Sequence, residues 1–147
     1  MEDLVKATGH IDIVLKDEFG NVKDTREIKN IVVTAGKNYL AAWLAAASQA
    51  GKFMSYMGVG TGSTPAASTD TALQTPLATY VQGTLTSSGN VWQNVCIFGA
   101  GVDTGAITEA GLFDAASPTT MFAHQVFSVV NKGVSDSIQF TWQVTFS

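Results

Sequence analysis

Apolar positions recur at every second residue over most of this chain, and the clearest run lies near the C-terminus. Across residues 138–146, Ile138, Phe140, Trp142, Val144 and Phe146 alternate with Gln139, Thr141, Gln143 and Thr145. A period of two places successive side chains on opposite faces of a strand, so this run predicts one buried face and one face of amides and hydroxyls. The second face carries no charge. Exposed strand edges are usually guarded by lysine or another charge. A strand this unguarded is expected to be paired on both sides, covered by a neighbour, or closed within an assembly.

The same alternation sets Ile11, Ile13 and Leu15 against His10, Asp12 and Lys16. Asp17-Glu18-Phe19-Gly20-Asn21 reads as a turn, since Gly and Asn tolerate positive φ and Asp can bond its own backbone. Residues 22–33 return as a second arm, polar through Lys23, Asp24, Arg26 and Glu27 and apolar at Ile28, Ile31, Val32 and Val33. The tip of this hairpin should stand in water while its base enters the core.

The period then changes. Thr34 offers a hydroxyl for a helix N-cap, Tyr39, Leu40, Trp43, Leu44 and Ala47 fall on one helical stripe, and Gly51 provides a stop. This predicts a helix over 35–49 whose stripe packs on a sheet rather than lining a ligand groove. Beyond it the pattern predicts strands at 53–59, 80–86, 91–98, 107–113, 121–130 and 135–146. Hairpins are expected across 87–90 and across Asn131-Lys132-Gly133, and one helical turn capped by Asp70 is expected at Asp70-Thr71-Ala72-Leu73.

Eight or so strands with one early helix predict an all-β fold, an antiparallel β-sandwich or jelly roll. The organisation expected is a single domain over 1–147, with a hairpin arm at 10–33, a helix at 35–49 and a β core at 53–147. No internal repeat is visible.

Charge changes this picture more than size does. The chain has 147 residues and a net charge of −4, and seven of its eight basic residues precede Phe53. From there on the charges are Asp70, Asp103, Glu109, Asp114, Lys132 and Asp136. A surface of Thr, Ser, Gln, Asn, Gly and Ala follows, which suits a part that packs against other copies or partners. No basic patch offers a footprint for phosphates, so no nucleic-acid partner is expected. No apolar run is long enough to span a membrane, and Met1-Glu2-Asp3-Leu4 lacks the order of a secretory signal. With a single cysteine, Cys96, synthesis and folding in a cytoplasm are expected.

Candidate chemistry is thin. Gly58-Val59-Gly60-Thr61-Gly62 has the glycine density of a phosphate loop, but Pro65 and a Ser/Thr stretch follow where a helix should open. A tight exit from a strand is the better reading. Cys96 and His124 could form a nucleophile and base, yet Cys96 sits in the apolar run Val95-Cys96-Ile97-Phe98 and His124 shares a strand face with Phe122 and Val126. Both read as packing residues. Asp12, Asp17 and Glu18 gather near the hairpin tip, and Asp103, Glu109 and Asp114 are spread over loops. Neither set has EF-hand or zinc spacing, and a loop calcium site from Asp103 and Glu109 has nothing in its spacing to raise it. No catalytic residue, cofactor or metal ion is therefore expected, and the chain is not expected to be an enzyme. The charged hairpin tip, Asp17, Glu18, Phe19, Lys23, Asp24 and Arg26, is the candidate partner contact.

Four segments in order carry a resemblance. These are Asn30-Ile31-Val32-Val33-Thr34-Ala35-Gly36-Lys37; Gly58-Val59-Gly60-Thr61-Gly62-Ser63-Thr64 followed by Asp70-Thr71-Ala72-Leu73; Ile107-Thr108-Glu109-Ala110-Gly111-Leu112-Phe113-Asp114; and Val129-Val130-Asn131-Lys132-Gly133 with Ser137-Ile138-Gln139-Phe140-Thr141-Trp142. Together they resemble small virion proteins of tailed bacteriophages, from Ile11 onward. The chain departs from them at Gln74-Thr75-Pro76-Leu77-Ala78, where an acidic residue and an arginine would follow. The resemblance implies a structural part of a phage particle, made in the bacterial host cytoplasm. The expected role is a capsid decoration or cement protein on the head exterior, a homo-oligomer with trimer preferred, bridging major capsid proteins. The alternative is a tail, baseplate or fibre module binding a host glycan, for which Trp92 with Gln93 and Asn94 is the loosely suitable run.

Overall fold

The computed structural model of the chain describes residues 6–45, 53–118 and 120–147. The elements run β1 (Ala7–Lys16), β2 (Val22–Val32), α1 (Thr34–Ala45), β3 (Tyr56–Gly60), β4 (Pro76–Gln82), β5 (Thr84–Ser88), β6 (Val91–Phe98), β7 (Gly105–Phe113), β8 (Met121–Lys132) and β9 (Ser137–Phe146). Strand accounts for 58% of the chain, which makes the fold all-β. The nine strands form one antiparallel sheet in the order β4-β3-β7-β8-β2-β1-β9-β6-β5. Its two outermost strands, β4 and β5, are consecutive in sequence with Gly83 between them, so the sheet is nearly closed.

The run at 138–146 is β9, and it is paired on both sides, with β1 through Ala7↔Phe146 to Lys16↔Ser137 and with β6 through Val91↔Thr145 to Phe98↔Ile138. An inner strand has no free edge to guard, which accounts for its lack of charge. Ile138, Phe140, Trp142 and Val144 are fully buried, and they meet Ile11 and Ile13 of β1 and Cys96 and Phe98 of β6. Phe98 stands edge-on to Phe140 with centroids 5.7 Å apart. Burying each large apolar side chain contributes about 1.5–3 kcal/mol. A one-residue slip of β9 would turn all four outward.

Three readings are corrected. Residues 80–86 are not one strand, because the chain breaks at Gly83 into β4, which pairs with β3, and β5, which pairs with β6. A Cβ at Gly83 would lie 1.9 Å from Asn94 Oδ1 and 2.5 Å from Cys96 Sγ, so only glycine passes between them. The pattern alternates straight through this corner, which is why nine strands were read as about eight. Second, β8 and β9 do not form a hairpin across Asn131-Lys132-Gly133; the β1–β2 hairpin lies between them in the sheet. Third, Asp70-Thr71-Ala72-Leu73 makes no helical turn. Asp70 accepts instead from the N–H of Ala67, three residues before it, at 2.8 Å. The hairpin across 87–90 is present, with Gly89 at φ +57° in a two-residue turn.

The helix begins one residue early. Thr34 lies within α1, and the N–H of Lys37 bonds to the carbonyl of Val33 at 3.1 Å. Gly36 lets α1 lie against β8, since a Cβ there would fall 2.3 Å from the Phe122 carbonyl oxygen. Tyr39 and Leu40 pack on the core while Trp43 stays half-exposed. Residues 46–49 of the expected helix, with Ala47 and the stop at Gly51, lie outside the described residues. Among the described residues no helix is long and apolar enough to cross a membrane.

Candidate assembly surface

The hairpin tip is built by its own aspartate. Asp17 Oδ1 accepts from the N–H groups of Phe19 and Asn21, both at 2.9 Å, and Oδ2 accepts from the Asn21 side chain at 3.1 Å. The Asn21 amide is the main cause that holds the Asp17 carboxyl below its ordinary range. Gly20 turns the corner at φ +84°. The result projects Phe19, 81% exposed, and Val22, 58% exposed, from a turn whose polar groups are already satisfied.

Of the other charges predicted as contacts, Lys23, Asp24 and Arg26 are also used within the chain. Lys23 Nζ donates to Asp136 Oδ2 at 2.7 Å, tying the hairpin to the turn between β8 and β9. That hydrogen bond is the largest reason the Asp136 carboxyl is held low, with the Gly133 N–H second. Arg26 grips Asp24 through two bonds of 3.0 Å. Both sit opposite core residues, Asp24 across from Leu15 and Arg26 across from Ile13, so they face inward where β2 and β8 part. The two strands pair only at Ile31↔His124 and Val32↔Ala123, and beyond that the Arg26 guanidinium reaches the Val129 carbonyl at 3.2 Å. Of the six predicted residues, Glu18 and Phe19 point outward. Val134, 70% exposed in the turn that holds Asp136, adds a further apolar side chain at this end.

The remaining candidates separate. Cys96 is fully buried, its thiol pushed up to about 12 by burial, and its Sγ lies 3.4 Å from the Val81 carbonyl. His124 is held elsewhere, Nδ1 2.7 Å from Asp70 Oδ2 and Nε2 2.9 Å from Glu109 Oε2. Glu109 is fully buried and accepts three further bonds, from the N–H groups of Gly62, Gln74 and Thr75 at 3.1, 3.0 and 2.8 Å. This hub pins the loop between β3 and β4 to the outside of the sheet, above a small second core of Val33, Leu73, Phe113 and Met121.

The glycine run now has a reason. Cβ atoms at Gly60 and Gly62 would lie 2.5 and 2.7 Å from Glu109 Oε1, and at Gly58 2.5 Å from the Tyr80 ring. The bare strip receives the chain's own carboxylate and ring. Sequence reasoning missed Glu109 as a hub; the available signal was glycine at every second position, a strand face cleared for something to lie on it. Asp103 is engaged separately, both oxygens accepting from the Thr79 N–H at 3.2 and 3.1 Å, so the suggested calcium pair is not assembled.

A groove of about 270 Å³ opens between α1 and the β5–β6 side of the sheet, lined by Tyr39, Leu40, Trp43, Phe53, Leu85 and Trp92 among others. The helical stripe therefore both packs on the core and walls this groove. Trp92 leans on Phe122 with centroids 6.0 Å apart, Gln93 pairs with Gln143 at 2.9 Å, and Asn94 is fully buried with its amide donating to the Met54 carbonyl at 3.1 Å. Strand alternation thus divides the suggested glycan run between two faces.

Comparison with protein-family models, with curated proteins and with solved structures finds no match.

Proposed function

We propose that this chain is a non-enzymatic structural protein of a tailed-phage particle, a capsid cement protein that self-associates, trimer preferred, and bridges major capsid proteins on the head exterior. The observation that carries the reading is the apolar end formed by Phe19, Val22 and Val134. These side chains are exposed on turns held by Asp17 and by the Lys23–Asp136 pair, with Glu18 left in solvent, so docking them requires neither loop ordering nor the breaking of those bonds. The resemblance of four ordered segments to small phage virion proteins points the same way. The two halves of the sheet, which share β2, fit a sandwich of the jelly-roll kind.

The mechanism is multivalent clamping. Each copy makes a modest apolar contact, and avidity across a lattice lengthens residence without a strong single site. The absence of catalysis is part of the reading and draws on a buried thiol with a raised pKa and a histidine engaged at both nitrogens.

Immunogold labelling of particles tests the placement, with label expected on heads; label confined to tails would replace this reading by the tail or baseplate alternative. Light scattering tests self-association, and a strict monomer at high concentration and on particles would end it.

A further inference from the structure

The outer face of the β1–β2 ladder places three ligand-bearing side chains together. His10 and Asp12 lie two residues apart on β1 and share a face, and Glu27 of β2 stands directly opposite Asp12. His10 Nε2 is 2.9 Å from Asp12 Oδ1 and 3.6 Å from Glu27 Oε1. One ligand atom from each residue falls within 4.8 Å of the others. Around a zinc ion with bonds of about 2.0–2.1 Å, tetrahedral ligand atoms stand about 3.3–3.4 Å apart. The two histidine distances bracket that spacing.

The pairing is otherwise unfavourable, since like charges directly opposite one another destabilise an antiparallel ladder. Among the described residues no Lys or Arg nitrogen comes within 4.0 Å of Asp12 or Glu27, and Lys29 sits opposite His10 instead. A divalent cation between the three groups reverses the sign of that interaction. An imidazole with two carboxylates suits zinc and its first-row neighbours, whereas magnesium and calcium take oxygen sets.

We propose that His10, Asp12 and Glu27 form a surface site for a first-row divalent cation, zinc being the best match, with the remaining position open to water. The backbone ladder fixes two strands of the site. Closing it takes rotation of side chains alone, chiefly Glu27, whose side chain is 78% exposed. The signal was invisible along the sequence because Asp12 and Glu27 meet only through the register of the hairpin.

The test uses the full, untagged chain titrated with zinc chloride in a calorimeter, and with cobalt chloride followed by visible absorption. One zinc per chain is expected, with affinity falling roughly tenfold or more in His10→Ala and in Glu27→Ala, while magnesium chloride gives no comparable heat. Cobalt should give an absorption band that His10→Ala abolishes. Circular dichroism confirms that the variants fold, as expected for partly exposed side chains. Absence of zinc binding at millimolar metal overturns the proposal, and so does zinc binding that His10→Ala leaves unchanged, which would assign the metal to another site. Either outcome is independent of where the protein sits on a particle.

Discussion

The hairpin β1–β2 and the sheet beyond residue 53 use charge in opposite ways. In the hairpin, charges are frequent and several are exposed, as at Lys16, Glu18, Glu27 and Lys29. Beyond residue 53 there are six, and each bonds a backbone group or a charge that holds a turn or loop. Asp70 takes the Ala67 N–H and His124, Asp103 takes Thr79, Asp114 takes Thr120, and Lys132 donates to the Gly99 carbonyl. Glu109 and Asp136 complete the set. Where charge is scarce it is architectural, and where it is plentiful much of it is solvated. The contrast follows from burial, since an ionised group leaves water only when its bonds are replaced.

The sharpest way to break this comparison is Glu109→Ala, which leaves the buried Gly62 N–H, the part-buried N–H groups of Gln74 and Thr75, and the buried His124 Nε2 without their shared partner. It should destabilise the fold by about 3–5 kcal/mol in urea denaturation. A loss under about 0.5 kcal/mol, the size expected at a plain surface position, would remove the architectural role.

Alkaline stability comes next. The Cys96 thiol is raised from 9.0 to about 12 by burial, so the folded state keeps its proton while the unfolded chain releases it. Stability is full below 9.0 and falls as pH rises, with the folding constant dropping about tenfold per pH unit before levelling near 12. Cys96→Ala should flatten this limb between pH 9 and 10, read from urea midpoints; an unchanged slope would show that Cys96 contributes none of it.

In acid, the lowered carboxyl of Asp136 acts with the opposite sign. Its contribution is full above the ordinary value of 3.8 and is lost as pH falls through the lowered one. Wild type and Lys23→Met should therefore differ in urea midpoint near neutrality and converge in acid. A gap that persists at the lowest pH would assign the difference to packing of the Lys23 stem.

The smallest stability effect belongs to the tip. Phe19→Ser should change stability by less than about 0.5 kcal/mol, since the side chain is 81% exposed. If the chain is the cement protein proposed above, the same substitution should abolish decoration of capsids, and normal decoration by Phe19→Ser would move the contact off the hairpin.

Much of the fold was legible because alternation survives burial on one face. The β1–β2 hairpin, β6, β8 and β9 follow from it, and so does the all-β class. What was not legible depended on contacts far apart in sequence. Nothing near Gly83 signals that Asn94 and Cys96 crowd it, and a capping aspartate reads the same as Asp70, whose partner His124 is 54 residues away. The hairpin expected between β8 and β9 failed because adjacency in sequence was taken for adjacency in the sheet. At the tip, the residue types were readable, but their internal pairing through Asp136 and Val129 was not.

The position of β9 bears on the order in which the chain can complete its fold during translation. β1 and β2 leave the ribosome before β9 and can pair with each other, but the far edge of β1 is matched only by β9, more than a hundred residues later. β6 waits for the same strand. Until β9 is made, two apolar-faced edges stand open to other nascent chains, a condition that favours misassembly. A transcript truncated after β8 is therefore expected to yield aggregate rather than a smaller folded protein, because β9 is the strand that closes both edges.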